Sequence, residues 1–321
     1  MDVILEFCQN HNGKKDVLER MLDEAAELGV KYVKLQAAYA DDISFRPEFE
    51  NGLEKDSQIV TIKRPYKEEY DRLKNLELSD EVLMWFVDKS NSLDMTPMIT
   101  CFSRNRINQI FDCGFKSIKV ASYDCASYTM IRELINKFEE IIISTGATFD
   151  NEIEHVANQL QGTNFTFLHC VTMYPTPLQH ANLKRMNFLK NFTDNVGYSD
   201  HSIAGPDNIL TSIIACHIGA DIIEKHYTVL DQDETRDGKV SSNKSNIEEI
   251  NQFSKLSHSD QRIYLDEKYP LWMDALGTEK RLLTKEELLN RAYYRGRFYN
   301  PRKDDASGQN GIFNWEETGL A

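Results

Sequence analysis

Met95-Thr96-Pro97-Met98-Ile99-Thr100-Cys101, Ser117-Ile118-Lys119-Val120 and Ile141-Ile142-Ile143-Ser144 are three short apolar runs separated by Arg104–Cys113 and Ala126–Phe138. Each run is too short for a helix and apolar at consecutive positions, as a strand buried on both faces must be. The spacers read as helices. Working outward, the same kind of run recurs at Val3–Phe7, Tyr32–Gln36, Phe165–Cys170, Val196–Tyr198 and Ile222–His226. Between these lie further helical stretches. Lys14–Leu28 carries Val17, Met21, Leu22, Ala25 and Leu28 on one face and stops at Gly29. Ser79 caps Glu81–Ser92, Asn151–Gln161 follows, and Pro206–Ile218 opens with proline in its first turn.

Eight strands alternating with helices predict an α/β chain of the (β/α)8 TIM-barrel class, for which about 250 residues are typical. A doubly wound sheet would have fewer strands and a glycine-rich first turn, which is missing here. Residues 1–260 form the expected catalytic domain, and 261–321 a C-terminal extension and tail. Ala37–Leu78 is too long for a plain connection and reads as an insertion over the barrel mouth. From about Asn290 the chain turns basic and aromatic (Tyr293-Tyr294-Arg295-Gly296-Arg297), then polar, and reads as an appendage without a core of its own.

With 41% hydrophobic and 27% charged residues among 321, the chain has enough apolar material for a large core. Its 37 Lys+Arg against 51 Asp+Glu give a net charge of −14, which repels nucleic acid. No run approaches the ~18 apolar residues that span a bilayer. Met1-Asp2-Val3-Ile4-Leu5-Glu6 lacks the basic flank of a signal peptide, and six scattered cysteines read as reduced thiols. The expected location is the cytoplasm.

In such a barrel chemistry collects where strands end. Those ends carry Glu6, Lys34, Gln36, Thr100 and Lys119, then Ser122, Ser144, His169, Ser199, His201, Glu224 and His226. Any one hydroxyl there is explained as a helix cap. The set is not, because Lys34 and Lys119 interrupt apolar strands and lysine is seldom buried without a partner or a task. Two lysines among hydroxyls suit a phosphate and a carboxylate. His201 and His226 end successive strands, and Glu224 points to the same side as His226. Two imidazoles with oxygen ligands suit a divalent metal such as manganese or zinc; hydrogen-bonded core histidines are the plainer alternative. Asp200 is placed to orient them, and Asn10-His11-Asn12-Gly13 is a polar turn at the mouth.

These segments resemble the N-acetylneuraminate (sialic acid) synthase family over about residues 3–245. The resemblance rests on Glu6-Phe7-Cys8-Gln9-Asn10-His11-Asn12-Gly13, Val33-Lys34-Leu35-Gln36, Ile118-Lys119-Val120-Ala121-Ser122 and Ile143-Ser144-Thr145-Gly146. It continues in Leu168-His169-Cys170, Tyr174-Pro175-Thr176-Pro177, Gly197-Tyr198-Ser199-Asp200-His201-Ser202 and Ile223-Glu224-Lys225-His226-Tyr227-Thr228. It implies a metal on His201 and His226, most simply Mn2+, with Mg2+ or Co2+ as substitutes. It implies that Lys34, Thr100, Lys119, Ser122, Ser144 and Ser199 grip phosphoenolpyruvate, while Glu6, Gln36, Tyr174 and Asp237 face the metal and an acceptor sugar.

Three departures stand out. Thr172 occupies the substrate-wall position where the family has asparagine. Asp237 keeps its place in an altered loop, Glu234-Thr235-Arg236-Asp237-Gly238. After Leu276-Gly277 there is no counterpart of the family's antifreeze-like domain, so the insertion and Tyr293–Phe298 are expected to exclude water instead. The resemblance implies a homodimeric enzyme condensing phosphoenolpyruvate with an aldose, an N-acylated hexosamine or related deoxy sugar, to a 2-keto-3-deoxy sugar acid and phosphate. Glu6 or Glu224 would handle the water. A metal-dependent sugar isomerase or epimerase would want more carboxylate ligands and no lysine pair. A non-catalytic sugar-binding barrel would show decay among these residues.

Overall fold

Strict alternation along eight strands decides what fills the barrel and what lines its mouth. The computed structural model describes residues 1–203, 208–301 and 311–317. Its strands are β1 (Asp2–Cys8), β2 (Tyr32–Ala37), β3 (Thr96–Cys101), β4 (Ser117–Val120), β5 (Glu140–Ser144), β6 (Phe165–Cys170), β7 (Val196–Asp200) and β8 (Ile222–His226). All pair in parallel, and β1 closes the ring by pairing with both β2 and β8. The eight-stranded barrel read from the sequence is the fold. Around it lie α1 (Lys15–Glu27), α2 (Asp80–Ser92), α3 (Ile107–Asp112), α4 (Tyr128–Ile135), α5 (Asp150–Gln159), α6 (Arg185–Leu189), α7 (Leu210–His217) and α8 (Lys244–Ser254). The helix expected from Pro206 starts at Leu210, and Pro206 lies outside the described residues.

Ile4, Tyr32, Met98, Ile142, Leu168 and Ile222 form a separate apolar cluster inside the barrel. Two residues further along their strands stand Glu6, Lys34, Thr100, Ser144, Cys170 and Glu224. A period of two keeps each pair on one face, so a dry floor lies directly beneath a polar layer. Gly197 belongs to the floor, beside Leu168 in register. A Cβ there would lie 2.2 Å from the Ile222 carbonyl oxygen, so only glycine fits. The outward residues, such as Leu5, Val33, Ile99 and Ile118, pack against the helices in the main core.

The insertion folds as a 3-10 turn (Ala40–Asp42), a short helix (Glu48–Asn51), a hairpin (Leu53–Lys55 with Gln58–Thr61) and a helix (Tyr66–Lys74). Its Ala40, Ile43 and Leu73 share a small core with Phe298 of the C-terminal segment. That segment is therefore built into the molecule and not merely appended. A helix, Lys285–Tyr294, lies over the mouth, where Arg291 donates to the Ala147 carbonyl and pairs with Glu152. Farther on, Asn314 donates to Asp124 (3.0 Å) and to the Phe102 carbonyl (2.8 Å). The expected division at 260 falls within the helix His258–Lys268, whose Leu265 packs in the main core. Among the described residues no helix is long and apolar enough to cross a membrane.

Candidate active site

A cavity of about 410 Å³ opens at the C-terminal ends of the strands. At its floor Lys34 contacts the Glu6 carboxylate, its neighbour in register on β1. Lys34 Nζ also donates to Thr100 Oγ1 (3.1 Å) and lies 3.5 Å from Glu224. Lys119 Nζ donates to Ser144 Oγ (2.6 Å) and lies 3.6 Å from the other Glu224 oxygen, which accepts from Ser199 Oγ (2.7 Å). All these side chains are buried. Burial pushes the Lys34 ammonium down to about 7 against the pull of Glu224. For Glu224 burial acts upward, but Lys119 and Lys34 outweigh it and hold the carboxyl down to about 2. Two lysines thus face two carboxylates in a dry layer, where a bound anion would meet their amines and the hydroxyl donors.

Ser122 lies beside this layer and accepts a hydrogen bond from the Gly146 amide (3.2 Å). A Cβ on Gly146 would approach Ser122 Oγ to 2.9 Å and the Thr172 methyl to 2.7 Å, so glycine permits this close approach. Ser122, Ser144, Ser199 and Gln36 all line the cavity. Thr172 does not; it is buried behind the wall, and its carbonyl accepts from Asn290 (3.0 Å).

On the opposite wall the His201 and His226 rings stand 5.3 Å apart, with Tyr174 4.2 Å from His201. His201 Nδ1 faces the Val171 carbonyl (3.2 Å). His226 Nδ1 is buried, has no hydrogen-bond partner among the described residues, and lies 3.7 Å from Asp237 Oδ2. Cys8 Sγ donates to that same oxygen (2.9 Å). Ligand atoms of Cys8, His226 and Asp237 all fall within 4.8 Å of one another. An orphaned imidazole nitrogen beside a carboxylate and a thiol is a donor set that fits a divalent transition metal. Burial, with His226 nearby, takes His201 down to about 3, and burial lowers His226 too, so both stay neutral as ligation requires. The Cys8 thiol is pushed well up by burial and by Asp237.

Residues 21–260 match the model of the NeuB family. This chain belongs to the NeuB family. Over 236 residues it is 30% identical to the N,N'-diacetyllegionaminic acid synthase of Legionella pneumophila, covering 71% of this chain and 64% of that one. With the synthase of the same name from Campylobacter jejuni it shares 28% over 239 residues, 71% of this chain and 67% of the relative. The chain thus spans about two thirds of these relatives. A crystal structure of the N-acetylneuraminic acid (sialic acid) synthetase from Leptospira borgpetersenii in complex with citrate superposes with a TM-score of 0.67. That pair is 26% identical, with 91% of this chain and 90% of the other covered.

Two residues of this NeuB-family chain sit differently from their sequence reading. Asp200 does not orient the histidines: Ser199 and His201 face inward, so alternation turns Asp200 outward, 3.1 Å from Lys225 and hydrogen-bonded to Ser212 (2.5 Å). His169 likewise points out of the barrel, 2.7 Å from the Ala181 carbonyl. His11 serves its own turn, accepting from the Gly13 amide (2.9 Å), and burial takes it down to about 4. Sequence reasoning passed over Cys8, whose strand-end position two residues after Glu6 was the available signal. It also passed over Arg64, Arg72, Arg236 and Arg297, which line the mouth from segments without strand periodicity.

Proposed function

We propose that the protein condenses phosphoenolpyruvate with an open-chain aldose, an N-acylated hexosamine or related deoxy sugar, to a 2-keto-3-deoxy sugar acid and phosphate. The observation that carries this reading is Lys34 and Lys119 flanking Glu224 in the same cavity as the Cys8–His226–Asp237 group. Lys34, Lys119 and the hydroxyls of Thr100, Ser122, Ser144 and Ser199 hold the phosphoenolpyruvate anion, which is catalysis by positioning and electrostatics. His226, Asp237 and Cys8, with His201 beside them, would hold a divalent metal, manganese or in its place magnesium or cobalt, whose chemistry is Lewis-acid polarisation of the aldehyde. Gln36 and Tyr174 border the acceptor.

The enol carbon attacks the aldehyde carbon, leaving positive charge on the carbon that bears the phosphate ester. Water adds at that carbon, and the carbon–oxygen bond to phosphate breaks. Glu224 Oε2, without a hydrogen-bond partner among the described residues, orients this water and takes its proton. The substrates and six free cysteines agree with a cytoplasmic setting.

A screen of aldoses with phosphoenolpyruvate and manganese, reading phosphate release, tests this. Phosphoenolpyruvate labelled with heavy oxygen at the bridging position should yield labelled phosphate. Label kept in the keto acid, or no release with any aldose, overturns the reading.

A further inference from the structure

The cavity contains two positive centres, and only one of them is balanced. At the floor Lys34 and Lys119 face Glu6 and Glu224. At the mouth three arginines from three separate segments turn toward a single carboxylate. Arg72 of the insertion, Arg236 of the loop after β8 and Arg297 of the C-terminal segment place Nη2 at 2.9, 3.5 and 2.6 Å from the Glu69 oxygens. Glu69 itself is buried, and despite burial the charges of Arg297, Arg72 and Arg236 hold it down to about 2. Arg64 joins them at the mouth and, among the described residues, donates only to the backbone of its neighbour Lys63 (2.9 Å).

Three guanidiniums therefore share one buried carboxylate, and a fourth, Arg64, stands beside them at the mouth. Of the other acids at the mouth among the described residues, Asp237 is engaged by Cys8 and His226, which leaves Glu286. The Nε atoms of Arg64, Arg72 and Arg297 are buried without a hydrogen-bond partner among the described residues. Buried donors left unpaired are costly, and a guanidinium fork is matched by the paired oxygens of a phosphate or carboxylate. In a chain of net charge −14 this patch is a local construction and not a spill-over of general basicity.

We propose that Arg64, Arg72, Arg236 and Arg297 form a second oxyanion subsite, and that the acceptor sugar carries a phosphate or carboxylate remote from its aldehyde. This deepens the reading above, on which it rests for the floor. Phosphoenolpyruvate is held at the floor by two lysines and four hydroxyls, so the mouth is left to the second substrate.

The test compares, on the full chain with manganese, neutral N-acetylhexosamines, their 6-phosphates and the corresponding uronic acids. One charged class should show at least tenfold higher kcat/KM than the neutral sugars, and which class does so separates phosphate from carboxylate. Arg72→Met and Arg297→Met should raise KM for the charged acceptor at least tenfold while KM for phosphoenolpyruvate stays within twofold. Arg236→Met, whose side chain is 46% exposed, keeps the test open should the more buried variants fail to fold. Equal use of neutral and charged sugars overturns the proposal, as does an effect of the arginine variants on phosphoenolpyruvate instead. If no sugar releases phosphate, the reaction assigned above fails. Equilibrium binding of the charged and neutral sugars to wild type and Arg236→Met then still decides the mouth: a tenfold preference lost in the variant supports the subsite, and no preference removes it.

Discussion

Lys119 on β4 and Glu224 on β8 stand 3.6 Å apart across the barrel, although their strands are not neighbours in the ring. Lys34 reaches the same carboxylate from β2 at 3.5 Å. One buried anion is thus shared by two buried cations. Removing one member of such a set is costly because its partners remain charged in a dry site, typically by about 3–5 kcal/mol.

Glu224→Gln is expected to lose that much stability in urea unfolding and nearly all turnover. Added inorganic phosphate should restore stability to the variant more than to wild type, because it supplies the missing negative charge. An unchanged unfolding midpoint would show that the three groups are not coupled.

Lys34 gives a pH dependence with a defined sign. The protonated amine binds the anion, and burial has lowered it to about 7 in the free protein. Affinity for phosphoenolpyruvate should therefore be full below this value and fall as pH rises through it, with kcat/KM following the same limb. Binding that stays flat from pH 6 to 9 would contradict this assignment.

Asp124 lies away from the cavity and links the barrel to the C-terminal segment through Asn314 (3.0 Å), with Ser127 Oγ donating at 2.8 Å. Burial raises its carboxyl to about 6, against those hydrogen bonds. The folded protein thus favours the protonated form, and stability is lost as pH rises from the unfolded value near 4 through 6. Asp124→Asn should raise the melting temperature at pH 7 relative to wild type. The gain should vanish at pH 4, and an equal gain at both pH values would exclude ionisation as its cause.

The Cys8–His226–Asp237 group makes a prediction about metal content. Protein stripped by chelator and reloaded with manganese should recover a stoichiometric ion, and His226→Ala and Asp237→Ala should each lower it. Loading with cobalt should give a thiolate charge-transfer band that Cys8→Ser removes. Full metal content in His226→Ala would place the ion elsewhere.

Much of the site was legible because a strand's period of two and the chemistry of strand ends act locally. Lys34 and Lys119 stood out as charges interrupting apolar runs and Glu224 as a strand-end carboxylate on the side of His226, and all three face the cavity. The same rule, applied one residue further, removes Asp200 and His169 from the interior. Cys8 was harder to see. The β1–β2 register shifts between Glu6 and Cys8, and Cys8 adopts a φ of 39°, a local turn that no apolar pattern announces.

The sequence by itself determined the eight strands, six of the eight helices around them and the polar strand ends, because each follows from spacing over a few residues; the helices Arg185–Leu189 and Lys244–Ser254 were not announced by it. Only the tertiary structure decided which charges meet. Closure of the ring brings Lys119 and Glu224 together from opposite walls. Packing of the insertion against the C-terminal segment brings Glu69 to Arg297, 228 positions away in the chain. Electrostatic pairing depends on distance in space, and no periodicity along a chain encodes contacts made by segments that meet only after the barrel has closed.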